Sequence, residues 1–160
     1  PSHPNGLQTH LHPHSYTIEG LLYLSERFSR DDLLDCAIRA IDWSFEHCLN
    51  PSAFRQQWAV ERGSTIMGLR SDVLAQSLRA QAIAKTLRPE LRFHWDDRIA
   101  TLTNTLEEFA FPDGSTAYGR DEYGAKSSHA NAWCHFFRIE ALLAMRWLSA
   151  GVAPRPIWIT

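Results

Sequence analysis

Ser71-Asp-Val-Leu-Ala-Gln76-Ser-Leu-Arg-Ala-Gln81 decides how this chain is read, because two variant copies of it occur elsewhere. His14-Ser-Tyr-Thr-Ile-Glu19-Gly-Leu-Leu-Tyr-Leu24 precedes it, and Ala130-Asn-Ala-Trp-Cys-His135-Phe-Phe-Arg-Ile-Glu140 follows it. With Glu19, Gln76 and His135 in register, the copies lie 57 and 59 residues apart. The same register places Leu21 with Leu78 and Phe137, and Ser15 with Asp72 and Asn131. A unit of that length holds two helices and a loop. One helical hairpin cannot bury its own apolar face, so such units stack or close into a ring.

Helical spacing of apolar residues extends the pattern to the flanks. A first helix is expected from His14 to about Phe28, after a Pro-, Gly- and His-rich loop over 1–12. A second runs from about Asp32 to Cys48, behind an N-cap in Ser29-Arg-Asp-Asp32 and ending at Asn50-Pro51. A third covers about 72–87, capped by Ser71 or Asp72, and a fourth about 95–110. Asp113-Gly114 is a turn signal. A fifth helix, about 129–149, ends at Gly151, and the tail 152–160 reads as extended. The chain is thus a single domain, 1–160, with repeats about 12–69, 70–127 and 128–151. Turns within hairpins are short, so paired helices should be antiparallel. Loops between hairpins are long, and long loops in compact domains are often functional.

At 160 residues, the chain is long enough for a real core. Hydrophobic residues make up 44% and charged residues 21%, with a formal charge of −2. That balance argues against a nucleic-acid surface or an anionic membrane as partner. No apolar run approaches the ~18 residues of a membrane helix. Three cysteines in no paired spacing read as reduced thiols, which points to the cytoplasm. The start at Pro1, without methionine, reads as a fragment or trimmed product.

The hairpin rhythm and the Phe111-Pro-Asp-Gly114-Ser turn resemble the α/α-toroid proteins, across roughly residues 12–150. The resemblance implies an all-α fold of antiparallel helical hairpins, here about half a ring. It points to the carbohydrate-active members of that architecture: N-acylglucosamine 2-epimerase-like enzymes, unsaturated glucuronyl hydrolases and polysaccharide lyases. It also implies a sugar or oligosaccharide ligand, in a cup near the inner-helix ends. A partial ring implies either a homo-oligomer or a piece of a longer chain.

Helices one, three and five are the candidate inner helices, and their beginnings are polar. His14, Glu19, Asp72, His129 and His135 are the candidate catalytic acids and bases. His12, Tyr16, Arg70, Gln76, Asn131 and Trp133 are the candidate substrate-binding residues. Each has a plainer alternative. His10, His12 and His14 can be a polar loop, helix caps or metal ligands. Glu19, Gln76 and His135 can hydrogen-bond to fix hairpin packing. Asp72 can be a simple cap, and Arg70 can reach a protein carboxylate as readily as an acidic sugar. Cys134 and His135 are adjacent on a helix and point about 100° apart, which disfavours zinc. No metal and no cofactor is expected.

The expected function is therefore a carbohydrate-processing domain, epimerase-like or hydrolase/lyase-like. The alternative is a non-catalytic helical-repeat module for interaction or oligomerisation.

Overall fold

In the computed structural model, residues 11–49, 69–121 and 125–152 are described. The expectations for His3, His10, the connection 50–68, Glu122, Tyr123 and the tail beyond Val152 lie outside them. Among the described residues, five helices carry the fold: α1 (Leu11–Phe28), α2 (Asp31–Ser44), α3 (Ser71–Leu87), α4 (Arg92–Glu107) and α5 (Ala132–Ser149). A π-helical turn, Phe45–Leu49, extends α2, and a 3-10 turn, Pro89–Leu91, leads into α4. There is no sheet among the described residues, only isolated antiparallel bridges.

The amphipathic helices follow their apolar spacing. Leu34, Ala37, Ile38 and Ile41 are the buried stripe of α2, and Trp95, Ile99, Leu102 and Leu106 that of α4. Helix α3 differs, because Ser71 through Lys85 are all buried. Its ring of Ala75, Ala80, Ala82, Ala84, Ser71 and Ser77 lets neighbours approach from every side. It packs against α1, α2, α4 and α5 and forms the centre of the molecule.

Ion pairs set the helix directions. His12 and Glu19 of α1 meet Asp72 and Arg79 of α3 in the same chain order, so α1 and α3 are parallel. Arg79 also reaches Glu140 of α5, while Cys134 lies near the start of α3, so α5 runs the same way. Helices α2 and α4 return. Asp35 and Asp42 of α2 pair in order with Arg88 and with Arg98 of α4. Lys85 near the end of α3 pairs with Asp96 near the start of α4, which closes that hairpin.

The α2 cap falls in the expected Ser29–Asp32 stretch, and the α3 cap is corrected. The N-cap of α2 is Arg30, with no side-chain cap. Its guanidinium turns to Asp32 instead, with Nη2 2.6 Å from Oδ2. The N-cap of α3 is Arg70, not Ser71 or Asp72. Ser71 Oγ donates to the Ala117 carbonyl at 2.6 Å, so the hydroxyl ties the 108–131 loop to the helix start. In both cases a charged fork or a tertiary hydrogen bond outcompetes the local cap.

The described residues of that loop form isolated antiparallel bridges. Ala110 bridges Thr116 around Gly114, whose φ is 86°, and Arg120 bridges Lys126. Gly119 bridges Arg70, and a Cβ there would lie 2.7 Å from the Leu69 carbonyl oxygen. Only glycine permits that approach. Helix α5 stops before Gly151, at φ 67°, where the sequence placed its end.

Candidate functional site

The parallel helices α1, α3 and α5 each turn a polar or aromatic stripe toward the others at spacing i, i+4, i+7. On α1 the stripe is His12, Tyr16 and Glu19. On α3 it is Asp72, Gln76 and Arg79, and on α5 it is Trp133, Phe137 and Glu140. Successive helices are related by steps of 60 and 61 residues along these stripes.

The upper level holds an ionic cluster. Asp72 is fully buried. Its carboxylate accepts from Arg70 Nε at 3.0 Å and from Nη2 at 2.5 Å. His12 Nδ1 lies 3.3 Å from its second oxygen. Burial works against the Arg70 charge, but the Asp72 carboxylate outweighs it and holds the guanidinium above its usual pKa. The same guanidinium lies over the Tyr118 ring, 5.1 Å from its centroid.

The middle level is aromatic. His12 and Tyr16 meet edge to face with centroids 4.7 Å apart. Phe137 is the hub, at 6.0 Å from His12, 6.4 Å from Tyr16 and 5.0 Å from Trp133. Tyr16 and Trp133 are 40% and 47% exposed, so both rings reach solvent. Burial, then the Glu19 and Asp72 carboxylates, push the Tyr16 hydroxyl pKa up, which keeps it protonated at neutral pH. Gln76, on the same level by helical phase, is fully buried.

The lower level is a closed charge cluster in which Arg79 sits between two glutamates. Arg79 Nη2 is 3.1 Å from Glu19 Oε1, and its Nη1 meets Glu140 Oε2. All three side chains are buried. Glu19 has its pKa raised by burial, against the opposing pull of Arg79.

Seven of the sequence candidates thus share this face: His12, Tyr16, Glu19, Arg70, Asp72, Gln76 and Trp133. Four lie elsewhere or are otherwise engaged. His14 turns to α2, where Nε2 donates to the Ala40 carbonyl at 3.2 Å and the ring packs edge-on against Trp43. His129 is exposed and meets Ser127 Oγ through Nδ1 at 3.1 Å. His135 contacts Thr116 Oγ1 at 3.1 Å, on the side of α5 that faces the loop. Asn131 is the N-cap of α5 and accepts from the Cys134 amide at 3.0 Å. Cys134 is buried, with its thiol pKa raised first by burial, so it stays a thiol beside the Tyr118 carbonyl.

Arg79 and Glu140 were missed by sequence reading. The available signal was an arginine set between Leu78 and Ala80, three residues beyond Gln76. Among the described residues no group of three His, Cys, Asp or Glu could hold a metal. No described helix is long and apolar enough to cross a membrane. Comparisons with protein-family models, with curated proteins and with solved structures find no match to this chain.

Proposed function

We propose that this chain is a carbohydrate-processing domain built as part of an α/α-toroid, with its ligand held on the three-level face of α1, α3 and α5. The observation that carries this reading is the pairing of the exposed Tyr16 and Trp133 rings with the adjoining His12–Asp72–Arg70 cluster, in which Asp72 is buried and His12 and Arg70 are partly exposed. Flat rings accept the apolar face of a sugar, and polar groups beside them fix its hydroxyls.

In this reading the proton is assigned to His12 Nδ1, 3.3 Å from Asp72 Oδ2, which leaves Nε2 as the proton-accepting nitrogen. His12 is then the acid–base group and Asp72 its positioning residue. A proton moved at a sugar carbon is the epimerase-like form, and a proton delivered to a glycosidic oxygen is the hydrolase-like form.

The test incubates the chain with neutral and acidic monosaccharides and short oligosaccharides in D2O. NMR then reads deuterium at sugar carbons or new reducing ends. Turnover that falls about 100-fold in His12→Ala and in Asp72→Asn supports the reading. Absence of both binding and turnover across the panel overturns it.

A specific observation favours a second reading, a helical-repeat interaction module. Phe136 and Ile139 are exposed on α5, while Leu24 and Phe28 are exposed on α1. In the stacking logic of hairpin repeats, each open edge offers the surface the other lacks. A second copy of this chain is the occupant that meets both needs.

A further inference from the structure

Gln76 deepens the carbohydrate reading, on which this inference rests. Its side chain is fully buried, and neither its amide oxygen nor its amide nitrogen has a hydrogen-bond partner among the described residues. Buried polar groups are nearly always paired, and an unpaired one weakens the fold. Such a cost is retained where a site uses the group. The residues one turn either side, Asp72 and Arg79, both turn to α1. Gln76 therefore faces the same way, between the two charged levels and beside the aromatic one.

The charges around it are already satisfied. Arg70 is forked onto Asp72, and Arg79 is held by Glu19 and Glu140. Three carboxylates face two guanidiniums, and neither guanidinium is free. An anionic ligand would have to break a buried pair and leave a carboxylate uncompensated. A primary amide offers one acceptor and two donors without charge. Two neighbouring hydroxyls match it, one donating to Oε1 and one accepting from Nε2.

We infer that Gln76 is the specificity-determining residue for an uncharged polyol, a neutral sugar, and that acidic and phosphorylated sugars are excluded. The sugar ring packs against Tyr16 and Trp133. Tyr16 is the exposed member of the Gln76 level, so displacement of its ring opens the path to the amide.

The test is calorimetric titration of the chain with glucose, mannose, galactose and N-acetylglucosamine, and with the corresponding uronic acids and hexose 6-phosphates. Neutral sugars are expected to bind at least about tenfold more tightly than either acidic class. Gln76→Leu is expected to lose about tenfold or more in neutral-sugar affinity with an unchanged or raised melting temperature, because it removes the unpaired amide. Equal or tighter binding of the acidic sugars overturns the inference and leaves the carbohydrate reading standing. Binding of no sugar overturns both. Unchanged binding in Gln76→Leu with a lowered melting temperature makes Gln76 a packing residue and overturns the inference. If Gln76→Leu does not fold, the volume-matched Gln76→Met carries the same expectation, and unchanged neutral-sugar affinity in it overturns the inference.

Discussion

At the scale of single residues, backbone contact governs more than side-chain chemistry. Gly119 lies against Leu69 and Arg70 where the loop crosses the start of α3, and a methyl group there meets a backbone oxygen that cannot rotate away. Gly119→Ala is therefore expected to destabilise the fold by about 1–3 kcal/mol, read as a lowered midpoint in urea. A loop-tip glycine such as Gly114 is held by its φ of 86° instead, with nothing near its Cβ direction. Asn131 illustrates a side chain claimed by the backbone. Its oxygen satisfies an amide at the α5 terminus, a role that any helix start requires.

At the scale of elements, the Glu19–Arg79–Glu140 cluster ties three helices together. Removing the central cation leaves two buried carboxylates without a partner. Arg79→Leu alone is expected to cost about 3–5 kcal/mol, whereas replacing all three residues by apolar ones of similar volume should be near neutral. Urea melts of the single and triple variants check this.

The same cluster sets a pH dependence. The folded chain holds the Glu19 proton more tightly than the unfolded chain does, because burial raises its pKa. Its contribution to stability is thus full below the ordinary glutamate range and is lost as pH rises through the raised value. Arg79 opposes the rise, and Glu140 shares the same guanidinium. Melting temperature measured against pH should decline less steeply above the ordinary glutamate range in Glu19→Gln than in the wild type.

At the scale of the whole molecule, α1 and α5 each carry exposed apolar residues, Leu24 and Phe28 on one and Phe136 and Ile139 on the other. If a second copy covers them, light scattering should give more than the 18.3 kDa of one chain. Phe136→Glu combined with Ile139→Glu should return the mass to that of a monomer, since charges on a covered apolar face cost several kcal/mol.

The sequence by itself determined the elements. Apolar spacing placed all five helices to within a few residues, because a 3.6-residue period is a local property of the chain. Gly151 and Asp113-Gly114 marked the breaks for equally local reasons. It also determined which helix starts would be polar.

The levels at which the helices meet were decided only by tertiary structure. The alignment of Glu19 with Gln76 and His135 rested on similarity of type, and polar positions one turn apart on a helix look alike in sequence. The contacts place Glu19 level with Arg79 and Glu140, three and five residues further on, because a buried carboxylate must meet a cation. The histidines sort by the same logic. His12 and His14 are two residues apart and so point to different sides of α1, one to Asp72 and the other to α2. Which of them faces the site is fixed by the rotation of α1 against its neighbours, and the burial of Ile18 and Leu22 sets that rotation.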